Sequence, residues 1–259
     1  MKNNVRADVF IAAMGRSGST MLANKLTSYE GSVVFIEPSL VVGGNRALIR
    51  GFRSVGKDFK ERPDLRYLNR IYEIKNDSYK KEFLRWLNGV DYWGFKEVEG
   101  AYFQKSVEMF NPRKIVILVR DVKQVFYSFY EKSLKQDRLV DWNVEWIVNK
   151  IKKTAECQMQ LQEKYPGRSM VVNYEDISRE EYLKNFLFKK LGYSFPVGDA
   201  GAGFEDFNRS WEVNRNIDRE KSDLSPCERG IPSELEGVAD KLEEDLKGYV
   251  EKMVRRKSS

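Results

Sequence analysis

Residues 15–20 read Gly-Arg-Ser-Gly-Ser-Thr and follow closely on the apolar run Val9-Phe10-Ile11. The pattern is that of a strand turning through glycines into a helix. A helix N-terminus offers unpaired backbone N–H groups and a partial positive charge, and so binds phosphate-like anions. Gly15 and Gly18 let the backbone approach such a ligand, Ser17, Ser19 and Thr20 add hydroxyl donors, and Arg16 adds a forked cation. ATP-binding loops place a lysine after their second glycine, whereas Ser19 stands there in this chain. A second stretch, Gly51 to Asp58 (GFRSVGKD), nearly fits the ATP pattern. Its last residue is an aspartate, which would repel phosphate and cannot act as the hydroxyl ligand of magnesium, and no buried strand precedes it. Three further groups fall at or near the ends of predicted strands, where open parallel sheets bind ligands. They are Lys96 in WGFKEV, Arg120 closing KIVILVR with Ser128 eight residues on, and Tyr174-Glu175-Asp176 closing MVVNYED.

The elements that must position these groups alternate along the chain. Strands are expected over 7–14, 32–36, 92–98, 114–119 and 169–173. Helices are expected over 20–27, 64–74, 78–87, 122–135 and 142–165, near 180–191, and from about Ser233. Alternation of this kind predicts an α/β architecture of three layers, α/β/α, with a central parallel sheet of about five strands. The chain has 259 residues, 41% of them hydrophobic, enough for one sizeable core. A single domain over 1–259 is expected, with insertions around 38–90 and 201–225.

Composition narrows the chemistry. There is no histidine, so acid–base work falls to Glu, Asp, Lys or Tyr. The net charge of +6 favours an anionic ligand, but 45 Lys and Arg against 39 Asp and Glu is a modest excess, and no nucleic-acid partner is expected. Cys157 and Cys227 lack metal-site spacing and are read as reduced and structural. The apolar run at 9–14 is too short for a signal peptide or membrane anchor, so a cytoplasmic protein without a membrane span is expected.

Taken together, these motifs resemble the sulfotransferases that use 3′-phosphoadenosine 5′-phosphosulfate (PAPS). The resemblance is carried by 7–27 and 92–135, and less fully by 169–176. It implies a P-loop-like fold in which Arg16, Ser17, Gly18, Ser19, Thr20 and Met21 bind the 5′-phosphosulfate. Arg120 and Ser128 match the pair that holds the 3′-phosphate, a group that ATP lacks. Tyr174 would approach the adenine, and Glu175 would brace the first loop. Lys96 matches the strand lysine that supports charge on the leaving oxygen, with Arg16 sharing that load. PAPS is then the co-substrate, and no metal is needed.

Many soluble members carry a basic histidine two residues after the lysine, where this chain has Val98. Carbohydrate sulfotransferases use a glutamate in a strand-ending Glu-Pro instead, matched here by Glu37 in VVFIEPS. Glu97 and Glu99 compete for the role, but strand alternation points them away from Lys96. The resemblance implies an acceptor carrying a hydroxyl or amine, a small molecule or carbohydrate such as a bacterial glycan or a tailored natural product of the alkaloid-toxin kind. Trp142 and Trp146 offer stacking surfaces for it, although helical spacing favours their burial in the core. The rival enzyme class is a P-loop small-molecule kinase, and the rival non-enzyme is a basic nucleic-acid-binding domain. Glu37→Gln is expected to lower turnover by about 10²–10⁴-fold, the usual worth of a general base, with nucleotide binding intact. Near-normal turnover in a sulfation assay would remove Glu37 from the role.

Overall fold

The structure is a computed structural model and describes residues 6–27, 32–36, 91–135, 143–177, 179, 182–183, 188–192, 228 and 231–254. Five strands form one sheet: β1 (Val9–Ala13), β2 (Ser32–Ile36), β3 (Tyr92–Glu97), β4 (Lys114–Val119) and β5 (Ser169–Asn173). Their spatial order is β2-β3-β1-β4-β5, and every pairing is parallel. The longer described helices are α1 (Ser19–Thr27), α2 (Gly100–Phe110), α3 (Val122–Lys135), α4 (Val144–Lys164) and α5 (Glu234–Asp245). Short helical turns follow β5 at Tyr174–Ile177 and extend the C-terminal segment through Lys247–Tyr249 to Val250–Val254.

A strand presents alternate residues to opposite faces, and a parallel sheet must cover both. Val9–Ala13 is buried at every position, as the central strand of such a sheet requires. Phe10 and Ala12 join Ile115, Ile117 and Val119 in a core shared with α2, α3, α4 and α5. Val9, Ile11 and Ala13 join Val116, Leu118 and Val172 beneath Leu22, Ala23 and Leu26 of α1. The three-layer α/β/α expectation is therefore met, with β1 at its centre.

The helix at Gly100–Phe110 was not foreseen. Its sequence, GAYFQKSVEMF, opens on glycine and is rich in aromatics, both poor helix formers. Tertiary packing overrides that preference, because Phe103 and Val107 fall four apart on one buried face. Phe103 meets Phe10 edge-on at 5.9 Å, and Phe10 stacks on Phe95 at 4.8 Å. At the start of α4, the Asn143 side chain accepts from the Trp146 N–H at 2.8 Å, which places the helix start two residues later than the periodicity suggests. The helices expected at 64–74 and 78–87 lie outside the described residues. Cys157 is a half-buried free thiol whose pKa is raised by burial, and Cys227 also lies outside the described residues.

β1 and β4 are neighbours, but the chain leaves them in opposite directions. β1 leads towards β2 at one edge, and β4 leads towards β5 at the other. The crevice at their carboxyl ends is the switch point where open parallel sheets hold ligands. Phe103→Ala should cost about 3–5 kcal/mol of folding stability, since it empties a buried aromatic site between α2 and β1. Denaturant unfolding measures this, and a loss below about 1 kcal/mol would mean that the site refills.

Candidate active site at the carboxyl edge of the sheet

The loop between β1 and α1 is built by its own backbone. The Ser17 N–H and the Ser17 hydroxyl both donate to the Met14 carbonyl, at 3.2 and 2.6 Å, closing the turn. Arg16 and Gly18 both take left-handed backbone, with φ of 67° and 79°. Backbone that alternates in hand turns successive N–H groups towards one point, a concavity suited to an anion. For a residue with a side chain this conformation costs roughly 1–2 kcal/mol. The Arg16 Nε donates to Ser128 Oγ at 3.1 Å, and the Arg16 carbonyl accepts from Arg120 Nη1 at 3.2 Å, so both ends of the residue are held. Gly18 has a second constraint: a Cβ there would sit 2.3 Å from the Tyr174 ring.

Three strands deliver the remaining groups. Lys96 on β3 is 1% exposed, and its Nζ donates to Thr20 Oγ1 at 3.2 Å. Backbone register sets Lys96 beside Ile11 of β1 and Ile36 of β2. Arg120 follows β4, and its guanidinium lies 4.2 Å from the centre of the Tyr174 ring, which follows β5. That cation–π contact holds the guanidinium against the loop. The Arg120 Nε is buried with no hydrogen-bond partner among the described residues, a donor left over for an acceptor from elsewhere. Glu175 is exposed as a residue, yet crowding around its carboxyl raises its pKa; Asp121 and Asp176 push the same way, and Arg120 pulls it down.

The residues singled out from the sequence therefore converge. Arg16, Ser17, Gly18, Ser19, Thr20, Lys96, Arg120, Ser128 and Tyr174 lie around one edge of the sheet. Within that group the Ser17 hydroxyl is turned inward to Met14, and the ring bracing the first loop is Tyr174. Met21 packs against the α1-side core. Glu37 lies outside the described residues. Of its competitors, Glu97 is buried, and Glu99 pairs with Lys150 of α4. Trp142 lies outside the described residues, and Trp146 is half-buried, packing edge-on against Phe129 at 6.1 Å at the margin of the core.

Sequence reasoning missed the supports behind the site. Phe129 on α3 lies under Gly15, where a Cβ would come within 2.5 Å of its ring. Gln158 on α4 is fully buried and contacts both β1 and β4. A long amide on the mostly apolar buried face Ile147, Ile151, Thr154, Ala155, Leu161 was the signal available.

The fold is that of known sulfotransferase structures. A sulfotransferase domain from the curacin biosynthetic pathway superposes with a TM-score of 0.58 at 17% identity, over 76% of this chain and 80% of that one. A sulfotransferase from Alicyclobacillus acidocaldarius superposes with a TM-score of 0.52 at 15% identity, over 98% of both chains. No family model matches the sequence, and no curated protein does. At such identities the likeness is one of fold. Among the described residues, no cluster of His, Cys, Asp and Glu could hold a metal ion, and no helix is long and apolar enough to cross a membrane.

Gly18→Ala combines a left-handed φ with a clash against Tyr174. It should cost roughly 1–3 kcal/mol of stability and weaken anion binding at the loop, both visible in thermal melts with and without nucleotide. Unchanged melting and unchanged ligand response would show that the loop tolerates a side chain there.

Proposed function

We propose that this protein transfers a sulfuryl group from PAPS to a hydroxyl or amine of a small-molecule or carbohydrate acceptor, releasing adenosine 3′,5′-bisphosphate. The observation that carries this reading is the direct linkage of two anion-binding segments across the switch point. Arg16 of the first loop reaches Ser128 at 3.1 Å, and Arg120 reaches the Arg16 carbonyl at 3.2 Å. A ligand held by both segments needs two separated anionic groups, and a 3′,5′-bisphosphorylated nucleotide has them. The left-handed turn at Arg16 and Gly18, and the Arg120 Nε with no hydrogen-bond partner among the described residues, fit an anionic guest. The likeness of the fold to sulfotransferases supports the same class of reaction.

The co-substrate supplies an activated sulfuryl group: a bond from sulfur to the acceptor's oxygen or nitrogen forms as the bond from sulfur to the bridging oxygen breaks. By analogy with phosphoryl transfer, the protein's work is positioning and charge stabilisation. The N–H groups at the start of α1, with Ser19 and Thr20, bind the 5′ group. Lys96, held at Thr20, and Arg16 stabilise charge on the leaving oxygen. Arg120 and Ser128 bind the 3′-phosphate. Tyr174 holds Arg120 against the loop and approaches the adenine. Glu37 takes the acceptor's proton; it follows Ile36, which is in register with Lys96. The segments 38–90 and 201–225 shape the acceptor site, within one domain. Bacterial glycans and tailored natural products, including alkaloid toxins, are the acceptor classes to screen.

Binding separates this reading from its rivals. Adenosine 3′,5′-bisphosphate at 100 times its Kd should stabilise the protein by about 2.7 kcal/mol. ATP with magnesium, or a mixed oligonucleotide, should give much smaller shifts in the same melt. A clear preference for ATP would replace the proposal with a P-loop kinase, and a preference for the oligonucleotide with a nucleic-acid-binding domain.

A further inference from the structure

Behind the two anion-binding segments lies a buried polar link that the reaction chemistry does not use. Gln158 of α4 is 0% exposed. Its Nε2 donates to the Ala12 carbonyl at 3.1 Å and to the Leu118 carbonyl at 3.1 Å. These are the penultimate residues of β1 and β4, the strands that flank the switch point. Its Oε1 accepts from the Tyr249 hydroxyl at 2.6 Å, and Tyr249 is itself 2% exposed. Carbonyls only accept, so the amide nitrogen must face the two strands and the amide oxygen needs a donor behind it. Tyr249 provides that donor and thereby locks the orientation of the amide. Both N–H donors of the amide are used and its oxygen has a donor, as burial in a core demands.

We infer that Gln158 is a positioning residue that sets the separation of the two anion-binding segments, with Tyr249 as its orienting partner. Ala12 lies two residues before Met14, whose carbonyl closes the first loop, and Leu118 lies two residues before Arg120. One primary amide thus spans the crevice just beneath both segments. A bisphosphorylated ligand feels the distance between its two sites, whereas a monophosphate feels only one of them. The link also makes the C-terminal segment around Tyr249 part of the framework of the site, although it lies far from the loop in sequence. This inference rests on the donor reading given above.

The test is a ratio of affinities. Dissociation constants for adenosine 3′,5′-bisphosphate and adenosine 5′-monophosphate are measured by calorimetry on the wild type and on Gln158→Met, Tyr249→Phe and Thr154→Ala. Methionine keeps the volume of Gln158 and removes its donors. Thr154 lies on the same buried face of α4 and bonds only within that helix, to the Lys150 carbonyl at 2.7 Å, so it controls for a plain loss of stability. The wild type should prefer the bisphosphate. Gln158→Met should lower that preference by about tenfold, the scale expected when a sub-ångström to 1 Å misplacement separates groups that must act together. Tyr249→Phe should lower it in the same direction by less, and Thr154→Ala should leave it unchanged while lowering the melting temperature. An unchanged ratio in both Gln158→Met and Tyr249→Phe overturns the inference and leaves the donor reading standing. A wild type without preference for the bisphosphate overturns the donor reading and this inference together. If Gln158→Met does not fold, Tyr249→Phe, which keeps the ring, decides the matter.

Discussion

The N–H groups in the first turn of α1 have no carbonyl of their own helix to bond, and much of the site is arranged around that deficit. The chain leaves β1 at Ala13 and enters α1 at Ser19, so the whole reversal takes five residues. Such a turn needs left-handed backbone at Arg16 and Gly18, and the first of these is unfavourable for a residue with a side chain. The Ser128 hydroxyl, the Arg120 guanidinium and the Tyr174 ring each contact this loop and compensate for its strain. One of the groups that hold the loop in shape, Arg120, is also one of the cations around it. Structure and chemistry are therefore coupled at one turn.

Rigidity behind the loop comes from the sheet. β1 is buried on both faces and paired on both edges, so its carboxyl end has little freedom to move. Lys96 stands on β3 in register with Ile11, two residues before that end, and Arg120 continues β4. A buried lysine is expensive unless its ammonium is hydrogen-bonded, and Thr20 is one of the partners that meets this need. The fold is shared with sulfotransferases at 15% and 17% identity, so this framework tolerates wide divergence of sequence.

The sheet was legible because its strands are short apolar runs bounded by turn residues, and the periodicity of such runs survives without any tertiary information. Val9–Ala13 and Lys114–Val119 are clear cases. The helix at Gly100–Phe110 was not legible, because its local preferences oppose helix and only the contacts of Phe103 and Val107 with the sheet reverse them. The site was legible in its residue types and in their order along the chain. Its internal bonds were not: that Ser17 would turn inward, or that Tyr174 would underlie Gly18, depends on which atoms meet across the fold.

The amino-acid sequence by itself determined the layered α/β class, the glycine-bounded turn from β1 into α1 and the absence of histidine chemistry, since each follows from composition or short-range pattern. Tertiary structure alone decided that Arg16 joins Ser128 across 112 residues. It also decided that Lys96 joins Thr20 across 76 residues, and that Gln158 ties β1 to β4 with Tyr249 behind it. The physical reason is range. Strand and turn preferences act over a few neighbours, whereas a hydrogen bond between distant segments exists only once packing has fixed both partners to within a few tenths of an ångström.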